Sequence, residues 1–316
     1  MPTNKELIFN KKIHIQSPAT VANIVCGFDI LGFAVNNPFD EMSITLLKEP
    51  HIIIKNLDDY NLTTDPTKNV AGVALQALMD QFLTKIGFEI EIKKNIKPGS
   101  GVGSSAASSA GAVVGANYLL NNFYSKQELV QFAMCGEEVA SGVKHADNIA
   151  PCIMGGITLI RSINPLDIIP LNYPHLFVTI VHPQIEIKTS DARSILKQQV
   201  FLKDAIKQWG NVAGLVAGFV QKDYDLIARS LEDFIIEPVR SILIPAFNEI
   251  KVQTKKAGAL GGGISGSGPS IFMLSKDEKT ALNIEKIMSS IYTNIGLEHH
   301  TYITSVNSTG VKIIEN

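Results

Sequence analysis

Cysteine is scarce in this 316-residue chain: Cys26, Cys135 and Cys152 are the only three, an odd count with no C-x-x-C spacing. Neither a disulfide framework nor a cysteine-based zinc site is indicated, and buried thiols are the ordinary reading. An excess of one charge is also missing. With 28 basic and 30 acidic residues the net charge is −2, and no run of either sign builds the cationic face that a phosphate backbone requires, so nucleic acid is not an expected partner. Long apolar runs are absent too. The start, MPTNKELIFNKKIH, is polar and the apolar segments elsewhere carry Gly or Pro, so no secretory signal and no membrane span is expected and the sequence reads as cytoplasmic. Finally, no Gly-Lys dipeptide occurs, which excludes a Walker A phosphate loop.

Glycine, by contrast, is abundant and clustered. Of 24 glycines, five fall between Gly99 and Gly115 and six between Gly258 and Gly268, which implies two loops dominated by backbone. The length fits two domains, and 45% hydrophobic with 18% charged residues is a globular balance.

Patterning predicts short strands at Lys12 to Gln16, Met42 to Leu47 and His51 to Ile54, giving a mixed or antiparallel sheet. Apolar residues near helical spacing predict a helix over Asn69 to Ile86, closed by Gly87. FEIEIK (88–93) alternates as a half-exposed strand does. Helices are then expected from Gly103 to Asn121 and from Lys126 to Ser141. The irregular NPLDIIPLNYP (164–174) suggests a domain boundary, dividing the chain into 1–165 and 166–316. The second half reads as a strand, helices over Ser190 to Gln208, Asn211 to Gln221 and Asp223 to Phe234, a strand, a helix over Lys276 to Gly296 and a last strand. That is an α/β sandwich with antiparallel sheet.

Chemistry concentrates in three uncharged stretches. PGSGVGSSAASSAG (98–111) is a glycine-serine loop running into a helix, so an anion bound there is held by backbone N–H groups, hydroxyls and the positive end of the helix. Gly99, Gly101 and Gly103 let the main chain approach phosphate oxygens, and Ser104 and Ser105 lie where an N-terminal hydroxyl touches phosphate or its metal. Gly101, Gly103 and Ala106 also satisfy a Rossmann G-x-G-x-x-A spacing, but the strand before it alternates Glu with Ile, whereas a Rossmann first strand is continuously apolar. A second such loop, AGALGGGISGSGPS (257–270), suggests a site assembled between two halves of the chain. In SPATVANIVCGFDILG (17–32) the only ionised group is Asp29, which either caps a local turn or faces a cation or strong donors.

Taken in this order, the three stretches resemble the signature motifs of the superfamily of galactokinase, homoserine kinase, mevalonate kinase and phosphomevalonate kinase. KHADNIAPC (144–152), TSDARSIL (189–196), EPVRSILIP (237–245) and the ISGSGPS ending make the homoserine kinase branch the nearest. The resemblance spans residues 17 to 270. It implies a two-domain α+β kinase fold with a mixed-sheet N-terminal domain and a ferredoxin-like C-terminal half. It implies ATP as co-substrate with Mg2+, and L-homoserine as the small-molecule acceptor on a route to threonine. Homodimers are common in the family, and nothing in this sequence by itself requires one.

Carried over residue by residue, Lys97, Pro98, Gly99, Ser100, Gly101, Val102, Gly103, Ser104, Ser105, Ala106 and Ala107 would cradle the triphosphate. Ser105 and Glu137 would hold magnesium, an arrangement that suits a hard cation bridging phosphates. Arg193 and Arg240 would fork around the substrate carboxylate, with Thr189 near them. Asp29 would meet the ammonium, and Asn23 and His145 would complete the shell. Taken singly, each of these has an ordinary reading as a surface charge, a structural histidine or a cap; the joint match assigns them. Homoserine kinases carry Asn, here Asn148, where some relatives place a base. The implied mechanism is therefore direct in-line attack, with Asp147 the rival base. Asn61 and Asn69 lie in a region that could reach the adenine. The first motif has Val25-Cys26 where the family usually has Gly-Pro, and the second has Val102 where Leu is common, with proline at 98 instead of one place earlier. Rival readings are another small-molecule kinase of the superfamily, a nucleotide-binding regulator without catalysis, and a nicotinamide-dependent oxidoreductase.

Overall fold

Two β-sheets organise the molecule, of which the computed structural model describes residues 6–187 and 189–314. The first sheet contains β1 (Lys12–Ala22), β2 (Leu31–Leu47), β3 (Ile52–Asn56) and β4 (Gly87–Lys93). Helices α1 (Val70–Gln81), α2 (Ser104–Leu119), α3 (Lys126–Ser141) and α4 (Ile149–Met154) follow, then the hairpin β5 (Ile157–Ile163) and β6 (Leu166–Leu171). The second half contributes β7 (Phe177–Pro183), α5 (Thr189–Ser194), α6 (Leu202–Gln221), α7 (Tyr224–Ser230), α8 (Glu237–Arg240) and α9 (Phe247–Lys256). It closes with β8 (Gly261–Ile264), β9 (Ile271–Ser275), α10 (Glu278–Asn294), β10 (His299–Ser305) and β11 (Lys312–Ile314).

The first sheet runs β11-β1-β2-β4-β3, with the β5–β6 hairpin joined to β2. Its strands pair antiparallel except β3 with β4, so the sheet is mixed. On β4 the buried Phe88, Ile90 and Ile92 alternate with Glu89 and Glu91, and α1, α2 and α3 cover the buried face. Helix α2 lies close to the sheet because it is built of Ala, Ser and Gly; a Cβ on Gly115 would stand 2.2 Å from Ile15 Cδ1.

The second sheet has the antiparallel order β10-β7-β9-β8. One face packs on α9 and α10 through Ile250, Ile284 and Met288. The other face shares a core with the first half, in which Phe33 of β2 meets Phe272 of β9 edge-on at 5.7 Å. The predicted α+β architecture with an antiparallel second sheet is thus present, and β8, inside the second glycine loop, adds a fourth strand to the three expected.

Several expectations about elements are corrected. β1 is longer than its apolar core because it continues to Ala22 inside the first uncharged stretch, which is buried and needs no alternation, whereas β2 begins at Leu31, where that stretch ends, and runs on past the exposed Asn36 and Asn37. The helix expected over Ser190 to Gln208 is two, α5 and α6, and α6 runs on through Asn211 without a break. Asn164 and Pro165 form the turn of the β5–β6 hairpin, so the passage from the first sheet to the second comes after Leu171, and β11 returns to the edge of the first sheet.

Candidate active site

The loop after β4 and the first turn of α2 form one wall of a cavity of about 630 Å³. Gly103 is the N-cap of α2, with φ 71°, and brings no side-chain oxygen to the first-turn amides. Those N–H groups and the helix dipole therefore face the cavity as an anion site. A Cβ at Gly103 would lie 2.0 Å from Thr20 Oγ1, and one at Gly101 would lie 2.4 Å from the Gly268 carbonyl oxygen. Only glycine lets the three uncharged stretches meet. They are laced by Ser265 Oγ donating to the Gly101 carbonyl (2.8 Å) and by the Thr20 N–H donating to the Val102 carbonyl (3.1 Å).

Of the expected cradle, Pro98, Gly99, Gly101, Gly103, Ser104 and Ser105 line the cavity. Lys97, Ser100, Val102, Ala106 and Ala107 do not. Lys97 Nζ is turned to Gln184 Oε1 at 2.5 Å, and the other four are buried behind the loop. Beneath it lies a fully buried ion pair, Lys94 with Asp40. Lys94 Nζ also donates to the Ser104 carbonyl (2.7 Å) and Ser108 Oγ (2.9 Å), while Asp40 Oδ1 accepts the N–H groups of Asn95 and Ile96, each at 2.9 Å. This pair fixes the base of the phosphate loop. The motif match passed over it, although the parity of Phe88, Ile90 and Ile92 places Lys94 on the inner side.

At the other end of the cavity a short-range network joins four of the expected substrate residues. Arg193 Nη2 donates to Asp29 Oδ1 at 2.7 Å and stands 3.4 Å from His145 Nδ1. Because an arginine only donates, His145 Nδ1 accepts and its proton sits on Nε2. Burial holds the His145 pKa below its ordinary value, against the raising charge of Asp29. Arg240, 3% exposed, donates through Nε to the Ala192 carbonyl (3.0 Å) and through Nη1 to the Gly266 carbonyl (3.2 Å). Burial first, and the charge of Arg193 second, lower its pKa to about 10. Two buried donors, Arg193 Nε and His145 Nε2, have no hydrogen-bond partner among the described residues. Both belong to residues that line the cavity, where a ligand oxygen would satisfy them.

Sequence reasoning also missed Phe28. The guanidinium carbons of Arg240 and Arg193 stand 4.9 and 5.4 Å from its ring centroid, so one aromatic ring carries both cations. Asn23 bridges the neighbouring loops, accepting the Asp29 N–H on Oδ1 (3.1 Å) and donating from Nδ2 to the Gly266 carbonyl (2.8 Å). It does so from a left-handed turn in which Asn23, Ile24 and Val25 have φ of 74°, 39° and 64°. Thr189 Oγ1 lies 3.2 Å from Ser267 Oγ, joining α5 to the last glycine loop.

Between the two ends stand Ser105, Glu137, Asp147 and Asn148. Ser105 Oγ donates to Glu137 Oε2 at 2.8 Å, and burial raises the Glu137 pKa. Two hard oxygen donors at the mouth of an anion site fit magnesium, and a carboxylate disfavoured by burial gains from a cation beside it. Among the described residues no group of three or more His, Cys, Asp or Glu stands together as a metal site. A magnesium ion here would take its remaining ligands from phosphate and water. Asn148 Oδ1 accepts from Thr20 Oγ1 at 2.7 Å, which fixes its amide. Asp147 is buried, and its pKa is raised to about 7 by burial and then by the charges of Asp29 and Glu137. Further along, Leu62, Thr63, Asn69 and Val70 line the cavity. The Asn69 amide is occupied in capping α1, and Asn61 bonds its own loop outside the cavity.

Comparison with known proteins accounts for this arrangement. The family model described as GHMP kinases N terminal domain matches residues 69–156, and that described as GHMP kinases C terminal matches 215–294. A homoserine kinase of Chloroherpeton thalassium is 44% identical over 312 residues, covering 94% of this chain and 98% of the relative. The chain belongs to the homoserine kinase family of GHMP kinases. The homoserine kinase of Methanocella arvoryzae is 39% identical over 302 residues, covering 96% of this chain and 97% of its own. The crystal structure of homoserine kinase from Cytophaga hutchinsonii superposes with a TM-score of 0.92 at 45% identity, covering 98% of this chain and all of that one. The protein is a kinase, with ATP as co-substrate. No helix among the described residues is long and apolar enough to cross a membrane.

Proposed function

We propose that the protein transfers the γ-phosphoryl group of Mg-ATP to the side-chain hydroxyl of L-homoserine, giving O-phospho-L-homoserine on a route to threonine. The observation that carries this reading is one cavity with an uncharged helix N-terminus at one end and Asp29, Arg193 and Arg240 at the other. The first end suits a triphosphate, the second a small zwitterion: Arg193 and Arg240 take the carboxylate and Asp29 the ammonium. Asn23, His145 and Thr189 complete the substrate shell, His145 through its unpartnered Nε2.

Asp29 and Arg193 are paired with each other at 2.7 Å, so both charges are held at the site that a zwitterion would fill. The first-turn amides of α2 with Ser104 and Ser105 bind the phosphates, and Ser105 with Glu137 would hold magnesium, which when bound offsets phosphate charge. Phosphoryl transfer rests on positioning and charge stabilisation, so the hydroxyl, aimed by Asn148 and Arg193, attacks in line and its proton passes to phosphate or solvent. A second reading makes Asp147 the base, because a buried carboxyl with a pKa of about 7 in the cavity wall is suited to take that proton.

The test is ADP release with Mg-ATP and L-homoserine, L-threonine, L-serine, shikimate or mevalonate, beside an Arg240→Leu control. Turnover confined to homoserine and lost in the control is expected. Turnover with a different acceptor moves the substrate assignment to the Val25-Cys26 loop, and ATP binding without any turnover favours the regulator.

A further inference from the structure

Helix α6 turns inward a stripe of Ala205, Gln208, Val212, Leu215 and Phe219, at the 3-4-3-4 spacing of a helix face packed on a core. Gln208 is its polar member, and it is 7% exposed. A buried amide costs stability unless its polar ends are bonded, and here both are, to main chain. Nε2 donates to the Cys26 carbonyl at 2.8 Å, and Oε1 accepts the Phe234 N–H at 2.9 Å. No described residue of α6 lines the cavity, so this amide stands behind the site and not in it.

The segments it joins are the ones that build the acceptor end. Cys26 lies in the tight loop that presents Phe28 and Asp29. The Gly27 N–H donates to the Asn23 carbonyl (2.8 Å) and the Leu31 N–H to the Gly27 carbonyl (2.9 Å), so a shift at Cys26 is carried to both side chains. Phe234 begins the segment that ends in Arg240. Asp233 stiffens it, taking the N–H groups of Ile235 (2.8 Å) and Ile236 (3.0 Å) on Oδ1 and that of Glu237 (3.0 Å) on Oδ2, which fixes where α8 starts. The segments meet again where the Arg240 guanidinium carbon stands 4.9 Å from the Phe28 ring centroid. Gln208 thus spans the base of an arch whose crown is the carboxylate site. Asn211, one turn further along α6, donates to the Glu232 carbonyl at 2.8 Å and anchors the second segment again. Among the described residues of α6, only Gln208 hydrogen-bonds to the Cys26 loop.

We propose, on the reading of L-homoserine as acceptor, that Gln208 is a positioning residue: it holds the loop of Phe28 and Asp29 at a set distance from the segment of Arg240 and so fixes the spacing of the groups that grip the amino acid. Among the described residues neither the phosphate loop nor α2 hydrogen-bonds to Gln208, so its effect is confined to the acceptor end.

Steady-state kinetics with Mg-ATP and L-homoserine test this on wild type, Gln208→Met and Gln208→Asn. Methionine fills nearly the same space but leaves the Cys26 carbonyl and the Phe234 N–H without partners. The homoserine KM is expected to rise about tenfold, with kcat and the ATP KM within about twofold of wild type. Gln208→Asn keeps an amide but is one methylene too short to bond both segments; it should show the same split, and it carries the test where Gln208→Met does not fold. An unchanged homoserine KM in a folded variant overturns the proposal and leaves the substrate reading standing. Equal rises in the homoserine and ATP KM values do the same, because they are the mark of a glutamine that only supports the fold. A wild type that turns over ATP with another acceptor and not with homoserine overturns the substrate reading and this proposal together.

Discussion

Exchanging Asp147 for asparagine tests what its burial predicts for both stability and turnover. The side chain is 4% exposed, and the carboxyl pKa rises from 3.8 to about 7, through burial first and then the charges of Asp29 and Glu137. That shift corresponds to a stability difference on the order of 4 kcal/mol, at about 1.36 kcal/mol per pH unit. The sign follows from the direction. A carboxyl with a raised folded pKa binds more protons folded than unfolded, so its full contribution is present below 3.8 and is lost as pH rises to about 7. Asparagine keeps an acceptor for the Asn148 N–H, which Asp147 Oδ1 now takes at 3.1 Å, and does not ionise. The variant should therefore gain on wild type as pH rises from about 4 to about 7 and hold that lead above it. Urea unfolding of both proteins from about pH 5 to about pH 8 measures the gap. A gap that does not change with pH refutes the argument. The same variant decides the route of the proton: direct attack leaves turnover unchanged near pH 7, whereas loss of a general base lowers it by about 10² or more.

Gly103→Ala places a Cβ 2.0 Å from Thr20 Oγ1 at φ 71°, so it should break the Thr20–Asn148 hydrogen bond and destabilise the fold by about 1–2 kcal/mol. Calorimetric ATP affinity should fall with it, and an unchanged affinity would sink the assignment of this helix end. Lys94→Met leaves Asp40 buried without its cation and should cost about 3–5 kcal/mol in urea unfolding; a loss under about 1 kcal/mol would mean that the pair does not hold the phosphate loop. Phe28→Leu removes the ring beneath both arginines and should raise the homoserine KM roughly tenfold while sparing the ATP KM, and Phe28→Tyr should retain the wild-type value. Equal effects of Leu and Tyr would show that the ring acts only by packing.

Much of this site was legible because its parts are local. A glycine-serine loop before a helix dictates an anion site wherever the fold puts it, and the motifs around Asp29, Glu137, Arg193 and Arg240 each carry a side chain that one cavity collects. What was not legible is set by tertiary parity and by contact across the chain. Nothing local in KPGSG shows that Lys97 turns to Gln184; strand parity puts Lys94 inward, but that Asp40 meets it there is known only from the pairing of β4 with β2. Phe28 was invisible for the same reason, since its role exists only once α5 and α8 bring two arginines to it from more than 160 residues away in sequence. Val25 is the instructive case. The sequence shows a departure from the family's Gly-Pro, and the structure shows why that position matters: a β-branched residue at φ 64° holds a conformation that glycine adopts freely. The strain lies two residues from Asn23, whose side chain ties the Asp29 loop to Gly266. Strain of this kind persists only where the surroundings over-determine it, and here they do, with Ile24 and Val25 packed into the core that joins the two sheets. The loop that aims Asp29 is thereby coupled to that shared core, so substitutions between the two halves should reach substrate selection before they reach the phosphate end.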